Sequence, residues 1–526
     1  MNFVTPEIAW APLTPILIVL GAAAAGVLVE SFIKTPATRR VVQLWLSGAA
    51  LLAALVAVVV QWGGLEGAAG TVVMSGKITV DLQSLAWQLM LLIFAVLSVL
   101  LFASKTSDNE ESFTALGSVA PGSVEEKLAR RAGLQVTEVF PLALFAVGGM
   151  MLFTCVTDLI FLFVALELFS LPLYILVALA RRRRLLSQEA ALKYFLLGAF
   201  SSAIFLFGAA LVYGATTQID VAFIGIAIEI VDGRDGMLLL GAVMVIVGLM
   251  FKIGAAPFHS WVPDVYQGAP TPVTAFMGAA TKAAATAALI RVMYLAFYPL
   301  EWELSWMFWA VAILSMALGT VLALVQTDIK RMLAYSAVAH AGFILVAFAG
   351  LEAEALAALP FYLLTYGLAT IGAFAIITQV RERAEDGGVG AEAVRLGQWA
   401  GLGKRSPLLA GAMALFLLSF AGIPLTAGFI GKFEVFSAAV AGGAWILVLI
   451  AVIASAVAAF FYVRLIVLMF FTDVPEGAED SIAVGNEPLS RVVIYLTAIA
   501  ILVLGILPSG VLELFQESAV FLVIGG

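Results

Sequence analysis

The feature that most constrains this chain is a succession of apolar stretches, each about 18 residues or longer, the length a helix needs to cross the hydrocarbon core of a bilayer. Fourteen can be delimited, at approximately 10–32, 41–62, 79–103, 139–156, 158–180, 189–213, 237–257, 271–297, 306–326, 330–350, 358–380, 406–437, 443–471 and 490–508. The fourth and fifth are divided at Thr157-Asp158, because 42 continuous residues would overrun the membrane. In lipid every backbone polar group must be paired within the structure, so runs of this length imply an all-α polytopic bundle. A composition of 63% hydrophobic and 12% charged residues agrees and excludes an ordinary soluble domain. Residues 217–231 read as a short surface helix instead. No cleavable signal peptide is expected, because Met1 to Trp10 lacks a basic start.

The basic residues test this register. Of the 27, 19 fall in loops after odd-numbered spans, including Arg181 to Arg184, Lys330, Arg331, Lys404 and Arg405. Only Lys77, Arg234 and, at a helix end, Arg291 follow even-numbered spans. Such asymmetry puts the arginine-rich loops in the cytoplasm and both termini outside a bacterial plasma membrane.

The remaining five basic residues, Lys193, Lys252, Lys282, Lys432 and Arg464, lie within spans, as does Glu167. A charge at the bilayer centre costs about 2.5–3.5 kcal/mol on insertion scales, so such residues face a bundle interior or a water-filled path. Charges of both signs in one bundle outline a proton or ion pathway. Two spans are also interrupted. The seventh runs into Gly254 and Pro257, and the twelfth contains Gly422-Ile423-Pro424 followed by Gly428 and Gly431. Proline removes a donor and breaks the ladder, and the freed carbonyls then need protein or water partners. Broken, lysine-bearing helices five positions apart imply two inverted five-helix repeats, helices 4–8 and 9–13. The expected division is 1–138 for helices 1–3 and a cytoplasmic loop, 139–300 and 301–472 for the two repeats, and 473–526 for the last loop and helix.

Particular segments resemble a known family. Asp158 to Leu168 followed by Ser170-Leu171-Pro172-Leu173-Tyr174, the run from Phe251-Lys252 through Trp261-Val262-Pro263-Asp264 to Val273, and Gln326-Thr327-Asp328-Ile329-Lys330-Arg331 to His340 are similar to the antiporter-like membrane subunits of respiratory complex I, the proton-translocating NADH:quinone oxidoreductase. Glu189-Ala190-Ala191-Leu192-Lys193-Tyr194-Phe195, the lysine at 432 where M-type subunits carry glutamate, and the modest length bring it nearest the N-type branch. The resemblance spans helices 4 to 13.

The resemblance implies a proton-transfer role for Glu167, Lys252, Lys282, Lys432, His259, Lys193 and His340. Glu167 matches the membrane glutamate that pairs with a lysine, Lys252 the lysine beside the break of helix 7, and Lys282 the central relay lysine. Burial and a neighbouring carboxylate act oppositely on a lysine's proton affinity, so a Glu167–Lys252 pair could load and release a proton. Plainer readings stand beside these roles. Lys193 could form an i,i+4 pair with Glu189 at a helix end, and His340 could simply bond a neighbouring backbone. His259 sits seven residues after Lys252, on about the same helical face. Lys330 and Arg331 read as interfacial anchors, Tyr462 as a packed tyrosine, and Arg181 to Arg184 as determinants of orientation.

The resemblance also implies that this chain carries no cofactor, with NADH, FMN, iron–sulfur clusters and quinone held elsewhere in the complex. Its implied partners are other membrane-arm subunits, further antiporter-like ones among them, and the lipid bilayer. No nucleic acid is expected, since no basic domain exists. Two other classes follow from the residues: a cation/proton antiporter subunit of the same ancestral fold, and a redox carrier with His259 and His340 as haem ligands. The single cysteine, Cys155, allows no intrachain disulfide or cysteine-rich cluster.

Overall fold

The computed structural model describes residues 9–65, 70–105, 111–114, 119, 123–125, 128, 136–230, 233, 235–383, 389–474 and 482–521. Both termini, and with them the expectation about their side, lie outside these residues, as do Arg234 and the loop positions Lys127, Arg130 and Arg131.

Labelled in chain order, the bundle helices are α1 (Trp10–Phe32), α2 (Pro36–Gly64), α3 (Leu82–Ala103), α4 (Val139–Cys155), α5 (Leu159–Val177), α6 (Arg184–Thr216), α7a (Asp235–Ile253), α7b (Trp261–Gly268), α8 (Thr271–Arg291), α9 (Glu301–Leu324), α10 (Ile329–Val346), α11 (Ala355–Gln379), α12a (Pro407–Ala421), α12b (Ala427–Ala441), α13 (Trp445–Phe471) and α14 (Pro488–Ile506). Among the described residues, 12 helices are long and apolar enough to cross a membrane. Two of the fourteen expected spans are shorter in helical terms: α4 has 17 residues, and the stretch 406–437 is two helices of 15 residues each. The short helix expected over 217–231 is Val221–Ile228.

Local chemistry sets the helix ends. Asp81, Asp158 and Asp328 accept from the first backbone amides of α3, α5 and α10, and each removes orphan donors at an N-terminus. Several ends depart from the sequence reading, and two show a local cause. α2 begins at Pro36 rather than near 41, since proline suits the first helical turn. α6 begins at Arg184 rather than 189, after Arg183 turns the chain with a left-handed φ of 56°.

Burial does not follow the hydropathy order. α8, alanine-, glycine- and threonine-rich with a mean hydropathy of 1.4, is buried along its whole span, as is α11 at 1.7. α13, at 2.8, is only 28% buried. Small side chains let neighbours approach α8 from all sides, while the most apolar helix, α13, faces outward. α8 packs on α11, α3 and α4, and α9 lies along α10. At one end a hairpin of β1 (Thr71–Val73) and β2 (Ile78–Val80), in register Thr71↔Val80, seats against the α4–α5 junction, where the Thr157 amide donates to Lys77 O at 3.0 Å. At the other end β3 (Val380–Arg383) lies between β4 (Val389–Glu392) and β5 (Ile482–Val484), all antiparallel.

Candidate functional site

The two interruptions have the same backbone solution. In the first, Gly254 adopts φ 80°, its amide donates to Phe251 O at 3.0 Å, and the Ala255 amide donates to Met250 O at 3.1 Å. In the second, Gly422 adopts φ 80°, its amide donates to Ser419 O at 3.0 Å, and the Ile423 amide donates to Leu418 O at 3.0 Å. Both are left-handed glycine caps closing a half-helix inside the bundle.

Each cap leaves carbonyls without a helical partner, and a buried lysine takes them. Lys282, from the neighbouring α8, donates to Ile253 O and, at 3.0 Å, to Ala337 O on α10. Lys432, from α12b, reaches back to Phe420 O at 2.8 Å and Ala421 O at 3.1 Å, and donates to Ser455 Oγ at 2.7 Å. Both lysines are at most 5% exposed. Phe251 O, already bonded by the Gly254 amide, also accepts from Trp261 Nε1 at 3.0 Å. The C-terminal end of a half-helix carries partial negative charge, which favours an ammonium there.

Lys252 sits on α7a, two residues before the first cap. Its ammonium donates to Ser170 Oγ at 2.9 Å and Tyr174 Oη at 3.3 Å on α5, inside a cage of Phe169, Tyr174, Tyr194 and Phe251 rings whose centroids lie 5.5–6.0 Å away. Glu167 lies one turn before Ser170 on the same helix, with Oε1 buried and unbonded among the described residues. Lys252 is therefore held by two hydroxyls of the helix that carries Glu167 rather than by a direct ion pair with it. The sequence carried all four residues but not the order in which α5 presents them to Lys252.

The other expected residues take different places. Lys193 is ion-paired both with Glu189 at 2.6 Å and with Asp264 of α7b at 2.7 Å, and its side chain is 43% exposed. Asp264 in turn binds Arg331 at 2.8 Å. His259 is half-buried beyond the first cap, with exposed neighbours Pro257 and Ser260, and the hydrogen bonds of Lys252 and Lys282 do not include it. His340 is deeply buried on α10. Its Nδ1 lies 2.6 Å from Tyr362 Oη and its Nε2 3.3 Å from Tyr462 Oη, so its partners are side chains from α11 and α13 and not a neighbouring backbone. Tyr462 Oη also shares a hydrogen bond with Ser336 Oγ. His340, Tyr362, Tyr366 and Lys432 line one small cavity.

One anchor reading needs correction. Lys330 is 2% exposed and donates to Ala269 O at 3.0 Å and Thr271 Oγ1 at 3.1 Å, tying the α7b–α8 turn rather than reaching for an interface. Arg291, placed at a helix end by its sequence, forms a buried pair with Asp81 at 2.8 and 3.0 Å across the start of α3. Its signal was present: an arginine with apolar neighbours on both sides needs a partner. Among the described residues, no group of three or more His, Cys, Asp or Glu is arranged to hold a metal ion.

Comparison with known proteins gives a consistent answer. The family described as NADH:quinone oxidoreductase/Mrp antiporter, TM, matches residues 156–458. A curated relative from Beutenbergia cavernae, NADH-quinone oxidoreductase subunit N, is 54% identical over 99% of this chain and 100% of its own length. A chain in the structure of respiratory complex I from Thermus thermophilus with bound aureothin superposes with a TM-score of 0.73 at 34% identity, covering 95% of this chain and 98% of that one. A chain of the Mrp complex from a Dietzia species shares the fold, with a TM-score of 0.78 at 22% identity over 97% of both chains. The antiporter-like bundle, its broken lysine-bearing helices and these relatives lead to one assignment: the chain belongs to the subunit N family of NADH-quinone oxidoreductase, the antiporter-like membrane subunits of complex I.

Proposed function

We propose that this subunit moves protons across the membrane through its buried polar residues, driven by quinone reduction elsewhere in the complex. The observation that carries the proposal is the placement of Lys282 and Lys432, two buried ammonium groups held on the open carbonyls of two broken helices. A lysine held by hydrogen bonds rather than by a fixed counter-ion can give up its proton without leaving a buried carboxylate unpaired.

In this reading the Glu167–Lys252 region receives the signal. The ammonium of Lys252 rests on Ser170 and Tyr174, and the flexible side chain can exchange these for Glu167, changing its proton affinity. The proton then passes by Lys282 and His340 towards Lys432. Moving one proton against 100 mV takes about 2.3 kcal/mol. Making or breaking a hydrogen bond to a charged group is worth about 1.5–3 kcal/mol, which is the same scale. Lys193, shared between Glu189 and Asp264, is a positioning charge that links α6 to α7b, and His259 serves the relay from the rim.

The chain divides into two repeats over 139–300 and 301–472, carries no redox cofactor of its own, and works in a bacterial plasma membrane beside other antiporter-like subunits with both termini outside. Reporter fusions after Arg184 and Lys404 are expected to read as cytoplasmic. The deciding experiment measures protons moved per NADH oxidised in vesicles holding the whole complex, with Lys282→Ala or Lys432→Ala. The expected result is assembled complex with a reduced ratio. An unchanged ratio in both would overturn the proposal.

A further inference from the structure

We propose that Tyr462 and Tyr362 are proton-transfer residues, forming with His340 a hydroxyl–imidazole–hydroxyl wire that joins the Lys282 side of the bundle to the Lys432 cavity. The inference rests on the reading of this subunit as a proton translocator and supplies the step between its two central lysines.

The geometry is continuous over three helices. Ser336 Oγ on α10 is hydrogen-bonded to Tyr462 Oη on α13, Tyr462 Oη lies 3.3 Å from His340 Nε2, and His340 Nδ1 lies 2.6 Å from Tyr362 Oη on α11. The two ends are as telling as the middle. Ser336 immediately precedes Ala337, whose carbonyl holds the Lys282 ammonium at 3.0 Å. Tyr362 opens on the small cavity that Lys432 also lines. The groups facing the imidazole that can change charge are Tyr362 and Tyr366 from α11, Tyr462 from α13, Lys432 from α12b and, one helix further, Lys282 from α8; no carboxylate joins them among the described residues. All of these residues are buried.

A neutral imidazole carries one N–H and one bare nitrogen, so with a tyrosine on each nitrogen it can receive a proton on one side and release one on the other. In one transfer, a proton leaving Lys282 arrives at the Tyr462 oxygen by way of Ser336 and a bridging water. The proton formerly on Tyr462 moves to Nε2, the proton on Nδ1 moves to the Tyr362 oxygen, and the former Tyr362 proton passes to a neutral Lys432. One proton enters and one leaves. The imidazole ends in its other tautomer, and rotation of the two hydroxyls with return of the tautomer resets the wire.

The test uses assembled complex in vesicles, with Tyr362→Phe and Tyr462→Phe compared with Lys282→Ala and Lys432→Ala. Phenylalanine keeps the ring and its packing, so the fold is retained. Each Tyr→Phe substitution is expected to slow proton transfer about tenfold or more, in line with losses on removing a positioned proton-transfer group. Replacing Tyr362 with 3,5-difluorotyrosine, which keeps the hydroxyl but makes it more acidic, should restore pumping and move its pH profile; a structural hydroxyl would restore pumping with the profile unmoved. If the lysine variants lose pumping while both phenylalanine variants pump normally, the wire is wrong and the proposed function stands. If the lysine variants also pump normally, the proposed function itself fails.

Discussion

Lys432 donates to the carbonyl oxygen of Phe420 at 2.8 Å, across the gap in its own broken helix. Lys282 makes the equivalent contact to Ile253 O from a neighbouring helix. The two sites differ in which helix supplies the ammonium, yet each pairs one lysine with the open end of one half-helix. A break in a membrane helix is tolerated only where its freed groups are satisfied, so these lysines are structural caps as well as candidate proton carriers.

That double role separates charge from proton exchange in a substitution series at Lys432. Lys432→Arg keeps a donor for the carbonyls but holds its proton under all working conditions. It is expected to assemble normally and pump poorly. Lys432→Met loses the cap as well, leaving two carbonyls less well satisfied at about 1–3 kcal/mol, read as lower thermal stability of the complex. Full pumping by the arginine variant would show that Lys432 supplies only a fixed charge.

Gly422→Ala probes the same site from the backbone. At φ 80° an alanine costs about 1–2 kcal/mol, and its Cβ would stand 2.9 Å from Lys432 Cδ. The substitution is expected to reduce proton pumping in assembled complex by displacing the ammonium, with quinone binding unchanged. Wild-type proton ratios in this variant would mean that the ammonium's position on Phe420 O and Ala421 O is not needed.

The sequence exposed the helices and the two breaks because those signals are local: a long apolar run, a glycine followed by a proline. It also exposed Lys252, Lys282 and Lys432, since a charge inside such a run is conspicuous. It could not give partners. Ser170 and Tyr174, which hold Lys252, are ordinary residues of an apolar helix until α7a and α5 both pack on α6 and bring the lysine to them. Tyr362 and Tyr462 gained meaning only when α11 and α13 brought them to opposite nitrogens of His340. Nor could hydropathy order the helices by depth, because α8 is central through the smallness of its side chains, which lowers its hydropathy.

Arg291 and Asp81 illustrate the same limit and give a stability prediction. Both are at most 2% exposed, and they join α8 to the cap of α3. Breaking such a buried pair by removing one partner costs about 3–5 kcal/mol, because the other charge is left unpaired. Arg291→Ala is therefore expected to lower the yield of assembled complex sharply, whereas Arg291→Met with Asp81→Leu should recover part of it. Equal losses in the single and double variants would show that packing, not charge, is what the site needs.

The end that carries β3, β4 and β5 supplies a pH dependence. Burial alone would raise the Glu392 carboxyl, but Lys330, Arg381, the hydroxyl of Thr271 at 2.8 Å and Arg183 together hold it below the ordinary 4.5. A carboxyl lowered on folding adds stability that is complete above the ordinary range and disappears as pH falls through the lowered value. Amide exchange over 389–396 is thus expected to quicken as pH drops below the ordinary glutamate range, beyond the intrinsic change in exchange rate. Glu392→Gln should remove this excess. Identical profiles in both proteins would show that Glu392 does not hold this strand.

Lys252 rests on two hydroxyls of α5 rather than on Glu167. Tyr174→Phe leaves Ser170 as a partner for the ammonium, 2.9 Å away, and Ser170→Ala leaves Tyr174 at 3.3 Å. Removing one neutral hydroxyl should shift the side chain towards Glu167 by about 0.5–1.5 kcal/mol, the net worth of a typical hydrogen bond. Such a shift changes the balance between two positions by about two- to tenfold, enough to slow turnover while leaving assembly intact. Removing both hydroxyls together leaves Glu167 as the remaining polar partner on α5, and the double variant is expected to pump least. Glu167→Gln in that background should then restore some activity, because the ammonium no longer has a carboxylate to hold it. Proton pumping by the four variants, normalised to assembled complex, checks the order. If the double variant pumps like the wild type, the ammonium has no need of the hydroxyls, and exchange between them and Glu167 is not how the subunit is driven.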